Sequence, residues 1–504
     1  MNFNKVKTVF SWQKTTVALL FLIGMGLRLR QYLTGRSLWI DEAMLALNIV
    51  NRDIMSLFKP LDYDQGAPLG FLLVEKIFNL LLGRNEYALR LFPLIVGVLS
   101  IGAFYLLLKR LLLNNAAVFT ALALFVLNPR LIYYSSEVKQ YILDVFVTIA
   151  LFLFAVPLLE MRAGKKDFIY LAAAGFLALW FSHPALFVLA GIGITLVILY
   201  IQRRDHMGLR YLVGIGLFWV ATITLLYLLI LKDIQQNAYM REYWQGAFLP
   251  VPPWSNLGWF SQVLNENIGL QFGIPHAVYL VFLLMLVGWF VLWKNQRSYA
   301  MVMGFIILFT LIASSLQLYP VLERMILFTL PIGLVLIGKS IELLYSTLPK
   351  RGSVHLLITA IIAGYLIYGP LATSVGYFLQ PRYYEHMRPA MENLQASWKA
   401  GDTLFVSNGA VPAFEYYAPM YGLEGTAYLS SQRQDYAAPQ KILEQIEPFK
   451  GQRRVWVLMS HVYEKDGFNE RDFLVDYLRQ NGTRKREFRM PGTSVYLYLF
   501  DLGE

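Results

Sequence analysis

The sequence predicts a mainly α, polytopic membrane protein of about eleven transmembrane helices, followed by a C-terminal α/β domain. Three observations lead there. Of 504 residues, 57% are hydrophobic and only 15% charged, whereas soluble domains carry about a quarter charged residues. Mean hydropathy is +0.48. Apolar runs of bilayer-spanning length, about 20 residues each, recur as far as residue 377 and then stop.

In order, the predicted spans are 15–33, 87–108, 116–134, 140–160, 167–182, 185–201, 210–231, 275–293, 299–316, 324–345 and 354–377. The first is read as a retained helix, because no small-residue cleavage site follows a short apolar core. Two amphipathic stretches, 41–52 and 67–82, are too short or too interrupted to span and are expected as interfacial helices. After residue 377 charge becomes frequent. DTLFVSN (402–408), RRVWVLMS (453–460) and SVYLYLFDL (494–502) read as strands from their aromatic and β-branched content. Segments 385–399, 438–447 and 469–481 read as helices between them. The expected organisation is a membrane domain over 1–377 and an α/β domain over 378–504.

The net charge of +11 does not imply nucleic acid as a partner. Its cations fall in short clusters between apolar runs, as orientation signals do. Lys5, Lys7 and Lys14 precede the first span. Lys109/Arg110, Arg162/Lys165/Lys166, Arg203/Arg204/Arg210, Lys294/Arg297 and Lys350/Arg351 follow on the same side by span count, which is therefore expected to be cytoplasmic. The opposite side receives 34–86, 135–139, 183–184, 232–274, 317–323 and everything after 377. Cysteine is absent, which excludes disulfides and thiolate metal sites.

Polar outliers gather on that non-cytoplasmic side. SLWIDEAMLAL (37–47) places Asp41 and Glu42 together in an apolar run. Taken alone, such a pair can simply cap an interfacial helix. Trp39 and Ile40, however, press it towards the membrane, and Arg28, Arg30 and Arg36 cluster just before it on the side where cations are unexpected. A desolvated carboxylate there suits general-base chemistry, and the cations suit an anionic ligand. YYSSEVKQYIL (133–143) brings Glu137, Lys139, Gln140 and Tyr141 to a second outer turn. His183-Pro184 forms a third, and Arg324 beside Glu323 opens a late span. Asp62, Asp64 and Gln65, in DYDQGAPLGFLL (62–73), have no role assignable from spacing. Asp41, Glu42, Glu137 and His183 are metal-binding types, but they come from separate loops without ligand spacing. No cofactor is assigned, and a divalent metal is left open.

LWIDEA, QGAPLGFL, NEYALRLFP (85–93), SSEVKQY and YPVLERMILFTLP, in this order, resemble the GT-C glycosyltransferases. The likeness is to the bacterial branch related to protein O-mannosyltransferases and aminoarabinose transferases, over residues 15–345. It implies a polyprenyl-phosphate-sugar donor and chemistry on the non-cytoplasmic face of a bacterial inner membrane. Asp41 matches the family's candidate base and Glu42 its partner. Glu137, Lys139 and Tyr141 match a Glu-x-Arg-x-Tyr motif, with Lys139 giving a point charge where Arg would give a fork. Arg324 matches the cation of the late motif. Arg28, Lys139 and Arg324 are then candidates for the donor phosphate, and Glu137, Tyr141, His183 and Gln65 for the substrate pocket.

The expected function is transfer of a monosaccharide, hexosyl or pentosyl, to a lipid, glycan or protein acceptor outside the cytoplasm, with inversion at the anomeric carbon. The rival is a polyprenyl-linked lipid flippase or transporter. That class predicts ionisable residues within spans, whereas the polar residues here are expected at span ends.

Overall fold

A computed structural model of the protein describes residues 3–232, 237–347, 354–432 and 439–503, without the side chains of 3–11 and 238. Lys5 and Lys7 fall among those side chains, and Lys350, Arg351 and the first residue of the predicted helix 438–447 lie outside the described residues. By its internal contacts the chain divides into two compact units. One comprises Met1–Thr34, Ile54–Gly83 and Arg90–Pro381; the other comprises Gly35–Asp53, Arg84–Leu89 and Arg382–Glu504.

The first unit is helical. It contains α1 (Phe3–Leu33) and α3 (Leu69–Leu82), and most of α4 (Glu86–Leu111). It continues with α5 (Asn115–Val126), α6 (Pro129–Tyr134), α7 (Tyr141–Leu159), α8 (Lys165–Phe181), α9 (Ala185–Gln202) and α10 (His206–Leu226). The helices Val278–Asn295, Arg297–Ser315, Leu330–Thr347 and Val354–Leu379 follow. Among the described residues, nine helices are long and apolar enough to cross a membrane. Two further predicted spans are shorter. α8 has 17 residues, and 116–134 is interrupted. The interruption has a local cause at Asn128-Pro129. Asn128 is extended at φ −65°, ψ 119°, and its side chain accepts from the Leu131 amide at 2.9 Å, starting a new helix at a proline that has no N–H to give to α5. The helices face outward with apolar side chains: Leu217 and Leu228 are each 67% exposed. Lipid, rather than water, is the solvent that such a surface suits. Close packing inside the bundle uses small residues. A Cβ at Gly288 would overlap the Leu336 carbonyl oxygen of the neighbouring helix.

The second unit carries a five-stranded sheet. Its strands are β1 (Thr403–Val406), β2 (Tyr428–Ser430), β3 (Val455–Met459), β6 (Thr483–Arg489) and β7 (Tyr496–Asp501), in the order β2-β1-β3-β7-β6. β4 (Glu464–Lys465) and β5 (Phe468–Asn469) form a separate short hairpin. β1 is parallel to both β2 and β3, while β7 is antiparallel to β3 and β6. The central strands are buried on both faces, which explains continuous apolar runs such as VWVLM rather than alternation. Phe405, Val457 and Phe500 pack with Leu474 and Leu478 in one core. The other face includes buried Leu404, Trp456 and Leu499. β6, TRKREFR, is an exposed charged edge, which discourages pairing with another chain. The same unit contains α2 (Ile40–Asn51), which packs on the helix Val411–Tyr417.

Candidate active site

The carboxylate pair opens α2. Trp39, the residue before the helix, supplies no side-chain cap. The first turn of a helix has amides without internal partners, and a carboxylate from a distant segment takes one. Glu385 Oε2 accepts from the Ile40 amide at 3.0 Å. Asp41 and Glu42 follow in that first turn, where the helix dipole favours negative charge. Asp41 is half-buried; Glu42 is fully buried, with Arg36 Nη2 at 4.0 Å from its Oε1. So buried a carboxylate requires a facing cation.

The segment leading into α2 is pinned residue by residue within the same unit. Ser37 Oγ accepts from the Arg388 amide at 3.0 Å and donates to His386 Nδ1 at 2.9 Å. The Leu38 amide donates to Tyr417 Oη at 2.8 Å, and Tyr417 donates to Glu86 at 2.8 Å. Arg388 Nε lies 3.3 Å from the same Glu86 carboxylate, and its guanidinium also donates to the Gly35 carbonyl. Burial, and then the charge of Arg388, push His386 down to about 4, consistent with a neutral ring that accepts from Ser37. His461 behaves oppositely. Its Nδ1 sits 2.8 Å from Glu385 Oε1, and this hydrogen bond raises its pKa, with Asp41 and Glu470 adding in the same direction.

In the helical unit, the turn between α6 and α7 holds Glu137 and Lys139, both buried. Lys139 Nζ donates to Gln65 Oε1 at 2.6 Å, which joins the first predicted outer loop to the second. Gln65 also lines a cleft with Leu57, Lys59, Asp64, Asn237 and Met240. Tyr141 begins α7, and the Arg324 guanidinium lies 5.7 Å from its ring centre and 6.0 Å from that of Trp244. The Arg324 loop is braced by Asn267, which accepts from the Glu323 amide at 2.9 Å and donates to the Val321 carbonyl at 3.1 Å. Glu323 itself is left-handed at φ 47°. Arg28 is engaged elsewhere in the bundle. It is buried, donates to the Gly24 and Val126 carbonyls at 3.1 and 3.3 Å, and lies 6.0 Å from the Phe125 ring centre. His183 is half-buried in the turn before α9, and burial pushes it down to about 4.

The structure thus joins Lys139 to Gln65, Arg324 to Tyr141, and Glu42 to Arg36. Among the described residues, no three His, Asp or Glu side chains are grouped so as to hold a metal ion. Sequence reasoning passed over Glu385, His461, His386 and Glu86. It also passed over Glu75, a fully buried carboxyl in α3 that burial raises well above the usual range, and Asp144, buried in the first turn of α7. The adjacent Glu75-Lys76 pair in the apolar run LGFLLVEKIFNLLL was the available signal for Glu75.

No family model matches the chain, and no curated protein matches it by sequence. Solved structures do resemble it. The crystal structure of ArnT from Cupriavidus metallidurans bound to undecaprenyl phosphate has a TM-score of 0.56 at 13% identity, covering 97% of this chain and 98% of ArnT. Its apo state has a TM-score of 0.53, also at 13% identity, over 98% of both chains. The Archaeoglobus fulgidus oligosaccharyltransferase tethered with an acceptor peptide has a TM-score of 0.50 at 12% identity, covering 89% of this chain and 69% of that one. At such identities the likeness is one of fold. The chain is a multi-pass membrane protein with the GT-C fold and a C-terminal sheet-bearing region.

Proposed function

We propose that the protein is a membrane glycosyltransferase that moves one sugar from a polyprenyl-phosphate carrier to an acceptor hydroxyl outside the cytoplasm. The observation that carries this reading is the first turn of α2: Asp41 stands half-buried beside a Glu42 neutralised by Arg36, in a chain whose fold follows ArnT over nearly its whole length. Fold likeness alone would be weak support, since one fold hosts many activities. The residue chemistry gives it content.

Asp41 takes the proton of the acceptor hydroxyl as its oxygen bonds to the anomeric carbon. The bond from that carbon to the phosphate oxygen breaks, and the polyprenyl phosphate leaves with the electron pair. Direct displacement inverts the anomeric centre. The leaving phosphate gains charge, so cations fixed beforehand stabilise the transition state more than the ground state. Lys139, oriented by Gln65, and Arg324, oriented by aromatic faces, suit that role. Arg28 is a weaker candidate, because its guanidinium already serves two backbone carbonyls. Glu137, Tyr141 and His183 would contribute to the substrate pocket, and residues 378–504 would present a lipid, glycan or protein acceptor. The membrane would be the bacterial inner membrane.

The test is a transfer assay in nanodiscs with undecaprenyl-phosphate-linked sugars and a panel of lipid, glycan and peptide acceptors. Release of undecaprenyl phosphate together with an inverted glycosidic product is expected. Movement of the intact donor between leaflets without any new linkage would favour a flippase instead.

A further inference from the structure

We propose that His461, clamped by Glu385, is a positioning residue for sugar transfer: through the buried Glu385 carboxylate it fixes the first turn of α2 and with it the carboxylate of Asp41. This rests on the reading of Asp41 as the base. Glu385 is only 3% exposed and uses both oxygens, one on His461 Nδ1 at 2.8 Å and one on the Ile40 amide at 3.0 Å. Ile40 is the first residue of α2 and Asp41 is the second. The chain His461–Glu385–Ile40 therefore ends one peptide unit from Asp41, and a shift of Glu385 moves the base directly.

Three further features support a role for His461 other than packing. Half of its side chain, 52%, is exposed, so there is little buried area through which it could stabilise the fold. Its backbone is left-handed at φ 48°, a region that histidine and asparagine enter more readily than most residues with a Cβ and that collects at functional sites. Gly409 makes room for it: a Cβ there would lie 2.5 Å from the Ser460 carbonyl oxygen and 2.7 Å from that of His461.

The place in the sheet is also informative. β1 has parallel neighbours on both sides, β2 and β3, so the strand order reverses there. In open α/β sheets, ligands bind beyond the carboxyl ends of the strands at such a reversal. His461 follows the carboxyl end of β3, and Gly409 follows that of β1. The ionisable groups that face His461 are Glu385 from the segment before the helix Arg388–Ser397, Asp41 from α2, and Glu470 from the first turn of the helix Glu470–Gln480. All three are acidic and favour the charged form of His461. Removing a cation makes a neighbouring carboxylate harder to ionise.

The experiment compares His461→Leu, His461→Asn and Glu385→Gln in the full-length protein in nanodiscs. His461→Leu and Glu385→Gln are expected to lower kcat by about ten- to a hundredfold through misplacement of the base. Acceptor KM and binding of undecaprenyl phosphate should stay as in the wild type. The double variant should be no slower than the slower single one, because both act through one chain. The acid limb of the kcat–pH profile should move to higher pH in His461→Leu. His461→Asn keeps a donor and tolerates the left-handed backbone, and should recover most of the rate. A wild-type rate and pH profile in both disabling variants would overturn the proposal. So would a rate loss that tracks a lowered melting temperature, with an unchanged profile and no recovery in His461→Asn. Should His461→Leu fail to fold, Glu385→Gln carries the same comparison. The two readings fail separately. Full turnover in Asp41→Asn removes the base, whereas a dead Asp41→Asn beside an unaffected His461→Leu removes only the positioning role.

Discussion

The two units are turned inside out relative to each other in composition. The helical unit shows apolar side chains to its surroundings, as Leu217 and Leu228 do at 67% exposure. The sheet-bearing unit hides Phe405, Val455 and Phe500 completely and exposes a strand that reads TRKREFR. The difference lies in the solvent each surface suits, hydrocarbon for one and water for the other. The charged groups at the two sets of candidate site residues also differ in their partners. Around α2, oppositely charged groups meet directly, Arg36 with Glu42, Arg388 with Glu86 and His461 with Glu385. In the helical unit, Lys139 meets an amide and Arg324 meets aromatic rings. An amide or a ring fixes the direction in which a cation points.

Substitutions that exchange the two environments should break this contrast. The largest stability effect is expected for Trp456→Ala, which empties a site 1% exposed and removes a 2.7 Å hydrogen bond to Asp402. A loss of about 3–5 kcal/mol is expected, read by chemical denaturation of the sheet-bearing unit within the full chain. Leu217→Arg, on the outward face of α10, should be next, at about 2.5–3.5 kcal/mol against insertion into a bilayer. Insertion yield in membranes reads this, and an unchanged yield would mean that the face meets water. The smallest effect concerns pH. His386 sits at about 4 in the folded chain, so its neutral form is preferred. Its contribution is present above the ordinary histidine range, about 6.5, and is lost as pH falls from there towards 4. His461 is raised, so its contribution is present below about 6.5 and is lost as pH rises through its elevated value. Melting temperature against pH should fall on the acid side in the wild type and flatten there in His386→Asn; an unaltered acid limb would contradict the assignment.

What could be read from the sequence follows the same physics. β1, β3 and β7 were legible because burial on both faces leaves unbroken apolar runs. β6 was not, because a charged edge strand resembles a solvated loop, and β2 has only three residues. The span 116–134 looked continuous by hydropathy, although Asn128-Pro129 breaks it into α5 and α6. Asp41 and Glu42 stood out as charge in an apolar run. Glu385 and His461 did not, since they lie 76 positions apart in a segment where charge is common, and their meeting depends on how the sheet folds. The one local sign was a histidine directly after an apolar strand, RRVWVLMSH.

Turnover and undecaprenyl-phosphate affinity, measured side by side in Asp41→Asn and Lys139→Gln, test the proposed base and anion site most directly. Asp41→Asn should lose turnover by about a hundred- to ten-thousandfold while its affinity for the lipid phosphate is kept. Lys139→Gln should weaken that affinity by about tenfold or more, as loss of a charged hydrogen bond does. Sustained turnover in Asp41→Asn, or unchanged lipid-phosphate affinity in Lys139→Gln, would contradict these roles.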